Sequence, residues 1–507
     1  MFDPDTAPHI FASPPGVDFA QGLVDGLIAR TAHMTPTDLA KVEIYVNTTR
    51  MQRRIRAVFD QGPARLLPRV RLITDLANDP VSLDLPPAVS PLHRRLELSQ
   101  FVAKLLEQEP DLAPRAALYD LSDSLATLMD EMQGEGVSPD TIAALDVADQ
   151  SGHWDRALRF LKIITPFFDR QNEPPDKEAR QRMVIEALAT KWETEPPKHP
   201  VLIAGSTGSR GATALFMQAV AKLPQGAIIL PGFDFDLPDH VWDAMEDDMT
   251  AEDHPQFRFR RLMDLIGFRP DTVKTWSATP PVHPQRNALV SLSLRPAPVT
   301  DQWLSDGPKL GDLHKATEGL TLVEAASPRA EAETIALRLR QAAEDGITAA
   351  LISPDRMLTR QVTAALDRWD IKPDDSAGTP LALSPPGRFL RHVADLFGKP
   401  LTGEALLTLL KHPLCHSERD DRGDHLRHTR DLELHLRRYG PPFPKPADLL
   451  TWAKKGSDRE EWAAWLAGLI AKPESAGSDE LSHHLTRHIA LAEQLCTGPA
   501  DTGSGGL

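Results

Sequence analysis

Apolar residues in the first part of the chain recur at two periods. His9 to Ala12 and Val42-Glu43-Ile44-Tyr45-Val46 are short runs rich in β-branched and aromatic residues, the pattern of strands. Each run leads through a turn into a segment of helical spacing. After the first comes SPPGVDF and then Gln21 to Arg30; after the second comes Arg50 to Phe59, where Met51, Ile55, Val58 and Phe59 share one face. Asn47-Thr48-Thr49 stands where a helix cap belongs, because a side-chain oxygen there can accept from an otherwise unpaired N–H of the first turn. A third strand is expected near Val70 to Ile73. Short strands alternating with helices imply parallel βαβ units.

From Pro91 to about Trp192 the strand signal is replaced by amphipathic runs, among them Leu96 to Leu106, Leu118 to Met132 and Trp154 to Phe168. The α/β pattern resumes at Val201-Leu202-Ile203-Ala204, followed by the turn GSTGSRGAT, a helix from Ala214 to Lys222 and a strand at Ala227 to Leu230. A second such unit is expected from Leu320. There TLVEAA reads as a strand, Ala330 to Ala343 as a helix, Thr348 to Ile352 as a strand and Met357 to Trp369 as a helix. The expected fold is therefore α/β with P-loop-type parallel sheets and large helical insertions. Residues 1–82 with 197–315 form the first α/β domain and 83–196 a helical insertion; 316–397 begin a second α/β domain and 398–507 are helical. The closing TGSGGL reads as a linker or a truncation.

Composition narrows the chemistry. With 56 Lys plus Arg against 72 Asp plus Glu the net charge is −16, so any contact with nucleic acid must use a local basic patch. Two cysteines, Cys415 and Cys496, build neither a disulfide framework nor a four-cysteine metal site. No run approaches the roughly 18 apolar residues that a membrane helix needs, and the start lacks a basic, then apolar, leader. A cytoplasmic protein without a membrane partner is expected.

Two turns have the strand-to-helix setting of a phosphate loop, which needs G-x-x-x-x-G-K-[ST]. At Ser13-Pro14-Pro15-Gly16 two prolines remove N–H donors, no lysine follows, and Asp18 would repel a phosphate. At Gly205 to Thr213 the glycine spacing is off by one and Ala212 replaces the lysine, so a glycine-rich strand-to-helix turn is the expected reading, with anion binding at the helix N-terminus the alternative. The segment after the second strand differs, because Arg50, Arg53, Arg54, Arg56, Arg65, Arg69 and Arg71 face only Asp60. Guanidinium forks suit phosphate oxygens, and Thr48 and Thr49 add hydroxyls. The alternative is a solvated helix face. The clusters around Arg258 and from Arg422 to Arg438 read as solvated surface, and His484 with His488 lacks the Glu of a zinc-peptidase motif.

Four stretches, FASPPGVDF, VEIYVNTTRMQRRIRAVFDQGPARLLPRVRLITDL, PVLIAGSTGSRGATALFMQAVAKLPQGAIILPGFD and ALISPDRMLTRQVTAALDRWDIKPDDSAGTPLALSPPGRFL, make the chain resemble the AddB family in its alphaproteobacterial form. AddB is a subunit of a helicase-nuclease that processes double-strand breaks. The resemblance implies superfamily 1 helicase-like domains whose nucleotide site has decayed at Ser13, Pro14, Pro15 and Gly16, and a single-strand contact at VNTTR, Val46 to Arg50; with the arginine cluster, the expected DNA contacts are Thr48, Thr49, Arg50, Arg53 and Arg54. It implies an AddA partner subunit and single-stranded and duplex-end DNA as ligands. It also implies a nuclease domain with an iron-sulfur cluster and Mg²⁺ beyond Leu507, hence no cofactor and no catalytic residue within these 507. An active divergent helicase and an unrelated phosphate-binding α/β enzyme are the alternatives.

Overall fold

The computed structural model describes residues 1–3, 7–144, 151–169, 173–246, 251–397, 399–418, 420–456, 458–474 and 477–499. The chain divides into two compact units, Met1–Thr321 and Leu322–Leu507. In the first, β1 (Ile10–Ala12), β2 (Glu43–Val46), β3 (Arg69–Leu72), β4 (Val201–Ala204), β5 (Gly226–Leu230) and β6 (Lys274–Thr275) form one sheet in the order β3-β2-β4-β5-β1-β6. Every pairing is parallel. The unit is thus α/β, as expected, although the polar two-residue strand β6 carries no apolar signal and is held by its partner β1.

Its longer helices are α1 (Phe19–Thr31), α2 (Thr49–Asp60), α3 (Pro91–Gln108), α4 (Leu118–Glu135), α5 (Ser151–Ile164), α6 (Lys177–Thr194), α7 (Gly211–Ala221), α8 (Phe257–Ile266) and α9 (Pro284–Ser293). β4 and β5 are buried along their whole length, because helices cover both faces of the sheet. Successive side chains point to opposite faces. Leu202, Ala204, Ala227 and Ile229 pack with Leu23 and Leu27 of α1 and Ile55, Val58 and Phe59 of α2. Val201, Ile203, Ile228 and Leu230 pack with Val184 and Ile185 of α6, Phe216 and Met217 of α7 and Leu262 of α8. α3, α4 and α5 keep a core of their own around Leu98, Val102, Leu125, Met129 and Ile164. A buried ion pair, Arg94 Nε to Asp176 Oδ1 at 2.8 Å, joins α3 to the residue preceding α6.

The second unit corrects an expectation. α10 (Pro328–Glu344) and α11 (Arg356–Leu366) form and pack through Ala332, Ala336, Val362 and Leu366. The strands expected at TLVEAA and at Thr348 to Ile352 do not form, and Leu322 and Ile352 are 86% and 94% exposed. A strand needs a partner for its N–H and C=O groups, and no described residue after Ile352 is in a strand. The remaining helices are α12 (Pro385–Ala394), α13 (Gly403–Leu410), α14 (Arg422–Tyr439), α15 (Pro446–Ala453), α16 (Glu460–Glu474) and α17 (Leu481–Thr497). They enclose Phe389, Leu406, Leu410, Leu432, Trp452 and Trp462. No described helix is long and apolar enough to cross a membrane.

Candidate nucleic-acid interface at the strand ends

Parallel strands end on one edge, and in open α/β sheets that edge is where ligands bind. The turns after β1, β2 and β4 meet there. Each opens a helix whose first N–H groups attract an anion, so the group that caps each helix decides what the edge can hold.

After β1, Ser13 N donates to Leu230 O at 2.9 Å and Ser13 O accepts from Phe233 N at 2.9 Å. Pro14 and Pro15 have no N–H to offer, and Pro15 O accepts from Asn287 Nδ2 of α9 at 2.8 Å. Gly16 takes φ +77°, the left-handed region that glycine enters without strain. The α1 terminus is filled by the chain itself: Asp18 Oδ1 accepts from Gln21 N at 3.1 Å. Burial would raise the Asp18 carboxyl, but hydrogen bonds from Arg54 and Gln21 and the Arg54 charge hold it below the usual range.

After β4, Gly205 and Gly208 have φ +76° and +66°, and α7 begins at Gly211. Gly211 N donates to Glu135 Oε1 at 2.8 Å, a carboxylate delivered by the last turn of α4. A Cβ on Gly211 would lie 2.8 Å from Glu135 Cα and 3.1 Å from Gly134 O. The glycine therefore permits close approach of α4, and the anion position is already occupied.

After β2 the cap is neutral. Thr48 Oγ1 accepts from Met51 N at 3.1 Å, and Asn47 Nδ2 donates to Gly205 O at 3.3 Å, tying this turn to the one after β4. Thr48, Thr49, Arg50, Arg53, Arg54 and Arg56 are exposed, while the opposite face of α2 is buried through Ile55, Val58 and Phe59. Arg54 Nη2 pairs with Asp18 Oδ2 at 2.7 Å, and Arg53 and Arg56 have no ion-pair partner among the described residues. Arg69 and Arg71 instead flank Glu43 at 3.5 and 4.0 Å. The seven-arginine cluster of the sequence thus resolves into four on α2, two bound to a carboxylate on the neighbouring strand, and Arg65 in the loop after α2, whose Nε donates to Pro63 O at 3.4 Å.

A cavity of about 860 Å³ opens beside Asn47 and Ser206, walled by Asp130, Glu131, Glu135 and Glu178 against Lys177 and Arg210. Burial, then the charges of Asp176 and Glu178, push the Asp130 carboxyl up to about 6. Such a wall repels phosphate. Sequence reasoning missed it, because its carboxylates sit on insertion helices far along the chain from the strands they approach. Among the described residues, no group of three or more His, Cys, Asp or Glu is placed to hold a metal ion. His488 Nε2 lies 2.8 Å from Leu390 O, and burial pushes the Cys415 thiol up to about 12. The chain matches no model of a known protein family and no curated protein sequence.

Proposed function

We propose that the chain is a non-hydrolysing, helicase-like scaffold that guides single-stranded DNA within a helicase-nuclease complex acting on double-strand breaks, paired with an AddA-type motor subunit. One observation carries the reading. Of the three helix N-termini at the ligand-binding edge, two are filled by the protein's own carboxylates, Asp18 and Glu135, and the third is capped by a hydroxyl among arginines. Filled termini disfavour a triphosphate and so disfavour both an active helicase and a phosphate-binding enzyme. The open one suits the spaced phosphates of a strand. Iron-sulfur and Mg²⁺ chemistry, in this reading, belongs to nuclease residues outside 1–507.

The test is binding of a 20-nucleotide oligo(dT) by the chain and by Arg50→Ala/Arg53→Ala/Arg54→Ala. The variant is expected to bind more weakly at low salt, with a log–log salt slope shallower by about 2, at roughly 0.7 for each phosphate no longer gripped. Equal affinity and slope would dismiss the patch as solvated surface. DNA-stimulated ATP turnover by the chain alone would revive the active-helicase alternative.

A further inference from the structure

The second unit carries its own reversal of charge. Between Leu434 and Arg459 the sequence has six cations, Arg437, Arg438, Lys445, Lys454, Lys455 and Arg459, against two carboxylates, Asp448 and Asp458, in a chain of net charge −16. Asp458 is engaged by Arg427 at 2.7 Å, and Asp448 accepts from Lys445 N at 2.9 Å as the cap of α15. Arg437 is held by Glu433. Arg438, Lys445, Lys454 and Lys455 have no ion-pair partner among the described residues and are exposed.

Aromatic residues are interspersed with these cations along the chain, and at His435 burial, then the nearby charges of Lys455 and Arg459, lowers the ring's pKa. Tyr439 ends α14 and is 80% exposed; Phe443, in the proline-stiffened turn GPPFPK that follows, is 51% exposed. Tyr439 is anchored from below, its ring centroid 6.2 Å from that of His435, which lies 6.4 Å from Trp452. Arg459 stacks over Trp452 at 4.1 Å. Three prolines around Phe443 restrict the turn backbone, so the rings are presented with little conformational entropy left to lose on binding.

We infer that this surface, Arg438, Tyr439, Phe443, Lys445, Lys454 and Lys455, is a second contact for single-stranded DNA, with bases stacked on Tyr439 and Phe443 and phosphates held by the cations. Stacking platforms interleaved with basic groups suit unpaired bases, since every base has a π-face and a duplex hides it. An acidic protein surface would satisfy the charges without using exposed rings. The inference rests on the reading that the chain handles single strands, but it concerns residues that the α2 arginines do not include.

The experiment is oligo(dT) anisotropy with three variants of the whole chain, together with photocrosslinking to a 5-iodouracil-substituted strand. Tyr439→Ala/Phe443→Ala is expected to weaken binding about tenfold or more with an unchanged salt slope. Lys454→Gln/Lys455→Gln should make the slope shallower by about 1.4, and adducts should map to Tyr439 or Phe443. Wild-type affinity in both variants, or equal loss of duplex and single-strand binding, overturns the inference. If those two bind normally and only the α2 triple variant fails, the second DNA surface falls while the proposed function stands. If the aromatic variant fails and the triple variant does not, the α2 interface falls instead.

Discussion

Trp276 shows how a single side chain fixes an element. Its ring is buried, its Nε1 donates to Leu23 O at 2.9 Å, and the Arg30 guanidinium lies 4.1 Å over it while also donating to its carbonyl. Gly26 of α1 faces that ring, and a Cβ there would sit 2.4 Å from Nε1. Gly26→Ala is therefore expected to cost about 1–3 kcal/mol through overpacking, seen as a lower urea midpoint; an unchanged midpoint would mean that the helix can shift without loss. A second residue-scale expectation concerns His425, whose Nε2 bonds Leu410 O at 2.8 Å and whose Nδ1 accepts from Trp462 Nε1 at 3.0 Å. Burial pushes its pKa down to about 4 from 6.5 against the Leu410 bond, which raises it, and the nearby charges of His416, Arg422 and His428 add to the lowering. The folded state favours the neutral ring, so this stability is full above pH 6.5 and is lost as pH falls from there toward 4, by up to about 3 kcal/mol. Urea unfolding at pH 7.5 and 4.5 should show the loss, and His425→Asn should reduce it. The Thr48 cap was legible in the sequence because its bond spans three residues; the Trp276 and His425 partners were not, because they lie hundreds or tens of residues away.

At the scale of elements, the apolar runs of β2, β4 and β5 and the amphipathic face of α2 were legible to within a residue or two, since both-face or one-face burial writes itself directly into hydrophobic period. The same reasoning failed at TLVEAA and at Thr348 to Ile352, where the period was right but the pairing partner, which no local pattern reveals, is lacking among the described residues. The glycine-rich turn before α7 was legible as lacking a phosphate loop, but not the reason that Gly211 must be glycine, which is the approach of Glu135 from 76 residues earlier. Removing that carboxylate tests its role. Glu135→Ala is expected to lower the melting temperature, as loss of a helix cap costs about 1 kcal/mol. It should also let inorganic phosphate raise the melting temperature of the variant but not of the parent; a phosphate response equal in both would show that Glu135 does not fill an anion position.

For the whole molecule, the division at Thr321 and Leu322 falls in a stretch, 317–327, that is exposed throughout. Brief treatment with a glutamate-specific protease should cut first at Glu318 or Glu324 and leave two fragments that keep their helical circular dichroism; early cleavage inside either core would contradict the division. The order of strands has a further consequence, for synthesis. β1 and β2 leave the ribosome first, yet they are held apart in the finished sheet by β4 and β5, which are translated only after the whole helical insertion. At about 5–20 residues per second, the roughly 160 residues between β3 and the end of β5 take on the order of 10–30 s to appear. For that interval the nascent N-terminal segment has apolar edges with nothing to zip onto, so newly made chains should lean on a holding chaperone until the central pair of strands emerges.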